Sequence, residues 1–180
     1  MTAKERLLIP ATVNTPAQPL FGVIMNDRVD LAFKIAAERY AGLVDKSGKP
    51  IMYHALDVAA AVRHRGELYE IVALLHDAYE ESDVVQSDWA ELLKLLGRDV
   101  YDGVKAMTIK EGEDYELQYL PRVLADPVGR IVKLADSQNN YERLVNLPDG
   151  ELKTRLKKKY ENVFKLAIKP KVNREGMEIL

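Results

Sequence analysis

The stretch Ile71-Val72-Ala73-Leu74-Leu75-His76-Asp77-Ala78-Tyr79-Glu80-Glu81 decides how this chain reads. An apolar run closed by a histidine and an aspartate describes a buried helix with a nitrogen and an oxygen donor at its end, where a metal can sit half out of water. The acidic pair Glu80 and Glu81 follows one turn later. Two more donors lie elsewhere in the chain: His54 upstream, and Asp136 at the close of a second apolar stretch, Ile131-Val132-Lys133-Leu134-Ala135-Asp136. His54, His76, Asp77 and Asp136 form a mixed imidazole and carboxylate set that suits a divalent metal such as Mn, Fe or Zn. Such a set points to metal-assisted hydrolysis.

Working outward, the apolar residues recur at helical spacing in segment after segment, and none shows two-residue alternation. Asn26 or Asp27 can cap a helix that ends near Gly42. A turn-rich loop, Asp45-Lys46-Ser47-Gly48-Lys49-Pro50, follows. Helices are then expected from His54 to about Arg63, from Glu67 to about Tyr79, from Ser87 to a stop at Gly97, and from Asp99 to Met107. The segment from Glu113 to Ala125 should be kinked or split by Pro121. Pro127 suits the first residue of a helix that runs to about Val145. A last helix opens at Asp149 or Gly150 and ends near Pro170. The chain is therefore expected to be all-α, with about seven to nine helices over 27–180. Residues 1–26, with Pro10, Pro16 and Pro19, read as an extended arm that packs on the body or mediates oligomer contacts.

Composition bounds the function classes. The chain has 180 residues, a formal net charge of −2, 47% hydrophobic and 30% charged residues, which is ordinary for a globular protein. That balance does not call for nucleic acid as the main partner. The absence of cysteine excludes disulfides and thiolate zinc sites and fits a reducing, cytoplasmic setting. The apolar patch before Pro10 is too short for a membrane span and unlike a signal peptide.

A metal at the four donors would acidify a water and orient it as a nucleophile, and a nearby carboxylate would take its proton. Glu80 and Glu81 are placed for that if the helix continues past His76 and Asp77. The alternative for the pair is a solvated acidic helix end, and for Asp77 and Asp136 it is ordinary salt bridging. The third histidine, His64, lies in Arg63-His64-Arg65-Gly66, a solvated helix end.

These residues resemble the HD superfamily of metal-dependent phosphohydrolases. More closely, they resemble the hydrolase domain of RelA/SpoT-type alarmone enzymes and the stand-alone small alarmone hydrolases, over about residues 27–144. The segments that carry the resemblance are Lys46-Ser47-Gly48-Lys49-Pro50-Ile51-Met52-Tyr53-His54, Ala73-Leu74-Leu75-His76-Asp77-Ala78-Tyr79-Glu80-Glu81 and Val132-Lys133-Leu134-Ala135-Asp136-Ser137-Gln138-Asn139-Asn140. It implies one manganese ion held by His54, His76, Asp77 and Asp136. It also implies catalytic carboxylates at Glu80 and Glu81, with Lys46 and Asn140 toward the substrate. The reaction it implies removes the 3′-diphosphate of guanosine 3′,5′-bis(diphosphate).

Departures cluster in one loop. The family's basic pair before Ser-Gly, whose arginine contacts guanine, reads Asp45-Lys46 here. The tyrosine after Gly-x-Pro is Ile51, and the proline after the first histidine is Ala55. An acidic residue cannot reproduce the donors of an arginine. Asp45 either faces water or accepts hydrogen bonds from a base. Two other readings follow: a hydrolase of another nucleotide phosphate, such as the 2′-phosphate of NADPH, or a non-catalytic nucleotide sensor. Arg143 is a further phosphate candidate.

Overall fold

The computed structural model describes residues 27–79, 86–168, 171–172 and 178–179. Among them are eight α-helices: α1 (Asp27–Arg39), α2 (Ile51–Val62), α3 (Glu67–Leu75), α4 (Gln86–Leu96), α5 (Arg98–Met107), α6 (Leu120–Ala125), α7 (Pro127–Arg143) and α8 (Glu151–Ile168). Residues 1–26, expected to form an extended arm, lie outside the described residues.

Local chemistry sets the helix boundaries. Gly97, at φ 90°, separates α4 from α5, and Gly66, at φ 116°, precedes α3. Both conformations disfavour residues with a Cβ. Asp126 caps α7 by accepting from the Gly129 N–H at 2.7 Å, with Pro127 in the first turn. The expected break at Pro121 is a change of winding. A π-helical turn (Tyr115–Tyr119), capped by Asp114, hands over to α6, which carries Pro121 in its first turn.

Helix α3 is central and packs against α1, α2, α5 and α7. Ile71 to Leu75 are all buried, which is why this stretch carries no polar residue. Helix α5 crosses it closely: a Cβ on Gly103 would stand 2.6 Å from Val72 Cγ2. A smaller cluster of Leu144, Leu156 and Tyr160 joins the end of α7 to α8.

One expectation needs correction. Helix α3 was expected to run to about Tyr79, but it ends at Leu75 and residues 76–79 form turns. The buried His76 ring donates from Nδ1 to the Ala73 carbonyl, 2.7 Å away. That is the carbonyl a continuing helix would offer to the Asp77 N–H. The Ala78 N–H then closes a tighter bond to Leu75 O, at 3.0 Å. Past the last helix lies a two-residue antiparallel pairing, Lys171 with Ile179 and Val172 with Glu178. A pairing this short leaves no alternation to read in a sequence, and the fold is otherwise all helical.

Candidate metal centre and pocket

Two helices and the turn that follows α3 deliver the expected donors. His54 lies on the buried face of α2, with Val58 and Val62 one and two turns further on. His76 follows the last residue of α3, and Asp136 sits midway along α7. One donor atom from each of His54, His76 and Asp136 lies within 4.8 Å of the others, and all three residues are buried. Asp77 stands beside them, with Oδ2 3.2 Å from His76 Nε2, and its side chain is 41% exposed. It forms the open side of the cluster.

The hydrogen bonds around the rings orient them. His54 Nδ1 meets Asn139 Oδ1 at 2.7 Å, and His76 Nδ1 meets the Ala73 carbonyl. Both acceptors hold a proton on Nδ1 and turn the Nε2 atoms inward, where each becomes a metal donor once it carries no proton. His54 Nε2 is 3.1 Å from Asp136 Oδ1, and His76 Nε2 is 3.7 Å from the same oxygen. His76 Nε2 is buried and makes no aligned hydrogen bond. An inward-facing nitrogen lone pair beside two carboxylates is a position made for a cation, so the residues fit a divalent metal. Asn140 Nδ2 takes up part of that space, 2.5 Å from Asp136 Oδ1 and 3.4 Å from His54 Nε2.

The charges are strongly interdependent. Burial opposes ionisation of Asp136, but Lys133, His54 and His76 outweigh it and hold the carboxyl well below its usual range. Burial likewise opposes a charged His76, yet Asp77 and Asp136 hold that imidazole well above its ordinary value. Asp77 is lowered, with burial again overcome chiefly by His76.

Next to this cluster opens a cavity of about 270 Å³ that reaches His54, Asp77 and Asn140. One wall is polar, formed by Asp45, Lys46, Ser47 and Arg143. The apolar lining comes from Val44, Ile51, Leu144, Leu147, Leu156 and the Tyr160 ring. Burial pushes the Tyr160 hydroxyl up to about 12.

Asp45 lines the pocket with its carboxylate already engaged. Its Oδ1 accepts from Ser47 N at 2.8 Å, Ser47 Oγ at 2.7 Å and Lys49 N at 3.0 Å, and its Oδ2 accepts from Arg143. Both oxygens are thus spent on shaping the loop. Lys46 is exposed at the pocket mouth. Glu80 and Glu81 lie outside the described residues.

Sequence reasoning left out several contributors. Asn139 fixes the His54 ring, Lys133 donates to Asp136 Oδ2 at 2.9 Å, and the α8 residues Leu156 and Tyr160 wall the pocket. Lys133, Asp136, Asn140 and Arg143 recur at helical spacing along one side of α7, a signal that was available in the sequence. Nothing in the α8 sequence distinguishes its pocket residues from ordinary core.

No family model matches the chain. It is similar to a guanosine-3′,5′-bis(diphosphate) 3′-pyrophosphohydrolase of Aquifex aeolicus, with 29% identity over 127 residues, covering 66% of this chain and 18% of that protein. It is similar to a second protein of that name from Danio rerio, with 26% identity over 125 residues, covering 65% of this chain and 68% of the relative. The chain thus spans less than a fifth of the bacterial relative and about two thirds of the animal one. A solved structure of a metazoan ortholog of SpoT, described as hydrolysing ppGpp with a role in starvation responses, superposes with a TM-score of 0.63 at 22% identity. That match covers 77% of this chain and 83% of the other. These similarities are to proteins named as ppGpp 3′-pyrophosphohydrolases, and the structural match shows a shared helical fold. No described helix is long and apolar enough to cross a membrane.

Proposed function

We propose that this chain is a manganese-dependent phosphohydrolase that removes the 3′-diphosphate of guanosine 3′,5′-bis(diphosphate), releasing pyrophosphate. The observation that carries this reading is the convergence of His54, His76 and Asp136, with Asp77 on the open side, next to a cavity lined by Lys46, Arg143, Leu147 and Tyr160. The names of both curated relatives support it.

His54, His76, Asp77 and Asp136 would hold the metal, with Mn2+ favoured and Fe or Zn compatible with the same donors. A divalent cation there supplies a Lewis acid that lowers the pKa of a water molecule and offsets phosphate charge. The protein residues do the rest. Asn139 and the Ala73 carbonyl keep the imidazole rings turned inward. Glu80 and Glu81 take the proton of the attacking water. Lys46 and Arg143 attract the diphosphate from the polar wall, and Asn140, once released from Asp136, donates to the nucleotide. Leu144, Leu147, Leu156 and Tyr160 pack against the base and exclude water.

Asp45 favours a second reading, because it stands where the resembled enzymes carry a guanine-contacting arginine. In that reading the substrate is another nucleotide phosphate, such as the 2′-phosphate of NADPH. One assay separates the two. Purified protein loaded with Mn2+ is given guanosine 3′,5′-bis(diphosphate), its adenosine counterpart and NADPH, and pyrophosphate and phosphate release are followed by chromatography. Pyrophosphate from the guanosine substrate supports the first reading. Phosphate from NADPH alone moves the assignment to the second. No turnover of any substrate by metal-loaded protein leaves a nucleotide sensor.

A further inference from the structure

Lys133 is the residue of α7 that the mechanism above does not use. Its side chain is only 12% exposed, and Nζ lies 2.9 Å from Asp136 Oδ2. The ammonium also lies over two rings, 5.4 Å from the Tyr119 centroid and 5.9 Å from that of Tyr115. A buried ammonium is costly unless paired, so this placement needs a return. The two oxygens of Asp136 are divided. Oδ1 faces both imidazole Nε2 atoms and Asn140, while Oδ2 is engaged by Lys133.

We propose that Lys133 is a positioning residue that reserves Oδ2 of Asp136, so that Asp136 offers a divalent cation one oxygen instead of two. The inference rests on the metal-site reading above and concerns how many places the protein leaves open around the ion. An oxygen-preferring divalent ion of the manganese type takes about six donors. Single donor atoms from His54, His76, Asp77 and Asp136 leave about two places for water and substrate. A two-oxygen Asp136 would close one of them. Lys133 also changes the charge of the site. With Asp77 and Asp136 ionised, the ammonium leaves the protein side at one net negative charge, so a divalent ion makes the centre cationic. Without the ammonium the loaded centre is neutral and loses its pull on a phosphate.

The test uses the full chain with Mn2+ alone and then with inorganic pyrophosphate. Free Mn2+ is read by electron paramagnetic resonance, and the waters exchanging on the bound ion by proton relaxation. Lys133→Met keeps the length of the side chain and removes the ammonium, whereas Lys133→Arg keeps a charged donor. The expected result for Lys133→Met is Mn2+ bound about tenfold tighter, because the variant removes a like charge from beside the ion. It should lose about one exchangeable water, and its pyrophosphate binding should weaken by roughly as much. Lys133→Arg should keep the wild-type water count. An unchanged water count in Lys133→Met overturns the proposal, because a purely structural lysine would shift affinity or melting without changing hydration. A second measurement needs no folded Met variant: the infrared carboxylate stretches of wild type on loading with Mn2+, with Asp136→Asn as the reference. A wide splitting supports a single-oxygen ligand, and a narrow one overturns the proposal. A wild-type chain that binds no Mn2+, Fe2+ or Zn2+ overturns the metal reading itself. An unchanged water count in a metal-binding chain overturns only the role of Lys133.

Discussion

Arg143, in the last turn of α7, donates to the carboxylate of Asp45 in the loop ahead of α2, across a sequence distance of 98 residues. Its other terminal nitrogen lies 3.7 Å from Asp57 Oδ2 on α2. One guanidinium therefore ties α7 both to the loop ahead of α2 and to α2 itself. The pocket lining thus receives a guanidinium from α7, held against the loop that carries Asp45.

Asp45→Ala should destabilise the fold by about 2 kcal/mol at pH 7, since hydrogen bonds to a charged group contribute about 1.5–3 kcal/mol each and this loop is partly solvated. Burial opposes the charge, but Ser47, Lys49 and Arg143 hold the Asp45 carboxyl far below its ordinary 3.8. A depressed carboxyl contributes stability above its unfolded value and loses it as the pH falls through the folded one. Urea titrations at pH 7 and pH 3 check this. The gap between wild type and variant should be full at pH 7 and smaller at pH 3. An equal gap at both would remove the charge from the account.

His76→Ala should abolish stoichiometric metal, as read by elemental analysis of the purified protein. Metal uptake should also release protons. In the metal-free chain Asp77 and Asp136 favour a protonated His76, and a cation has to displace that proton. Affinity should then fall by up to about tenfold for each pH unit lost below the raised His76 value. The sign for folding is the opposite. The raised His76 value stabilises the metal-free chain below its ordinary 6.5 and loses that effect as the pH climbs through the folded value. Calorimetry of Mn2+ binding in two buffers of different ionisation enthalpy counts the protons, and a count of zero at pH 6 would contradict the linkage.

Glu80→Gln and Glu81→Gln should keep the metal, and at least one should lose ~10² to 10⁴ in turnover, the usual range for removing a general base. Single-turnover rates with Mn2+-saturated protein decide the matter. Wild-type rates in both variants would make the pair ordinary surface charge.

Gly103→Ala should cost roughly 1–3 kcal/mol, the usual range for overpacking. The new methyl would meet Val72 Cγ2 at 2.6 Å where α5 crosses α3. A thermal melt checks it. The Mn2+ stoichiometry of the folded fraction should stay at the wild-type value, because Val72 lies outside the donor cluster.

The donors were legible in the sequence because histidine and aspartate at the ends of apolar runs are chemically conspicuous. Helix boundaries were legible where a residue dictates backbone, as at Gly97 and Pro127. The end of α3 was not. It depends on the His76 ring reaching the Ala73 carbonyl, and that choice follows from burying the ring. The joining of Arg143 to Asp45 was equally hidden, because nothing local to either residue announces a partner 98 positions away. Lys133 was visible as a letter, but its engagement of Oδ2 depends on how α7 packs.

The imidazole of His54 and the carboxylate it faces are separated by 82 residues of chain. At a synthesis rate of about 5–20 residues per second, roughly 4–16 s pass between making the first and making the second. Once His76 has been added, the emerging chain carries both histidines without Asp136, and without the α7 residue Asn139 that orients the His54 ring. The candidate donor set is therefore complete only once α7 has been made and packed against α2 and α3.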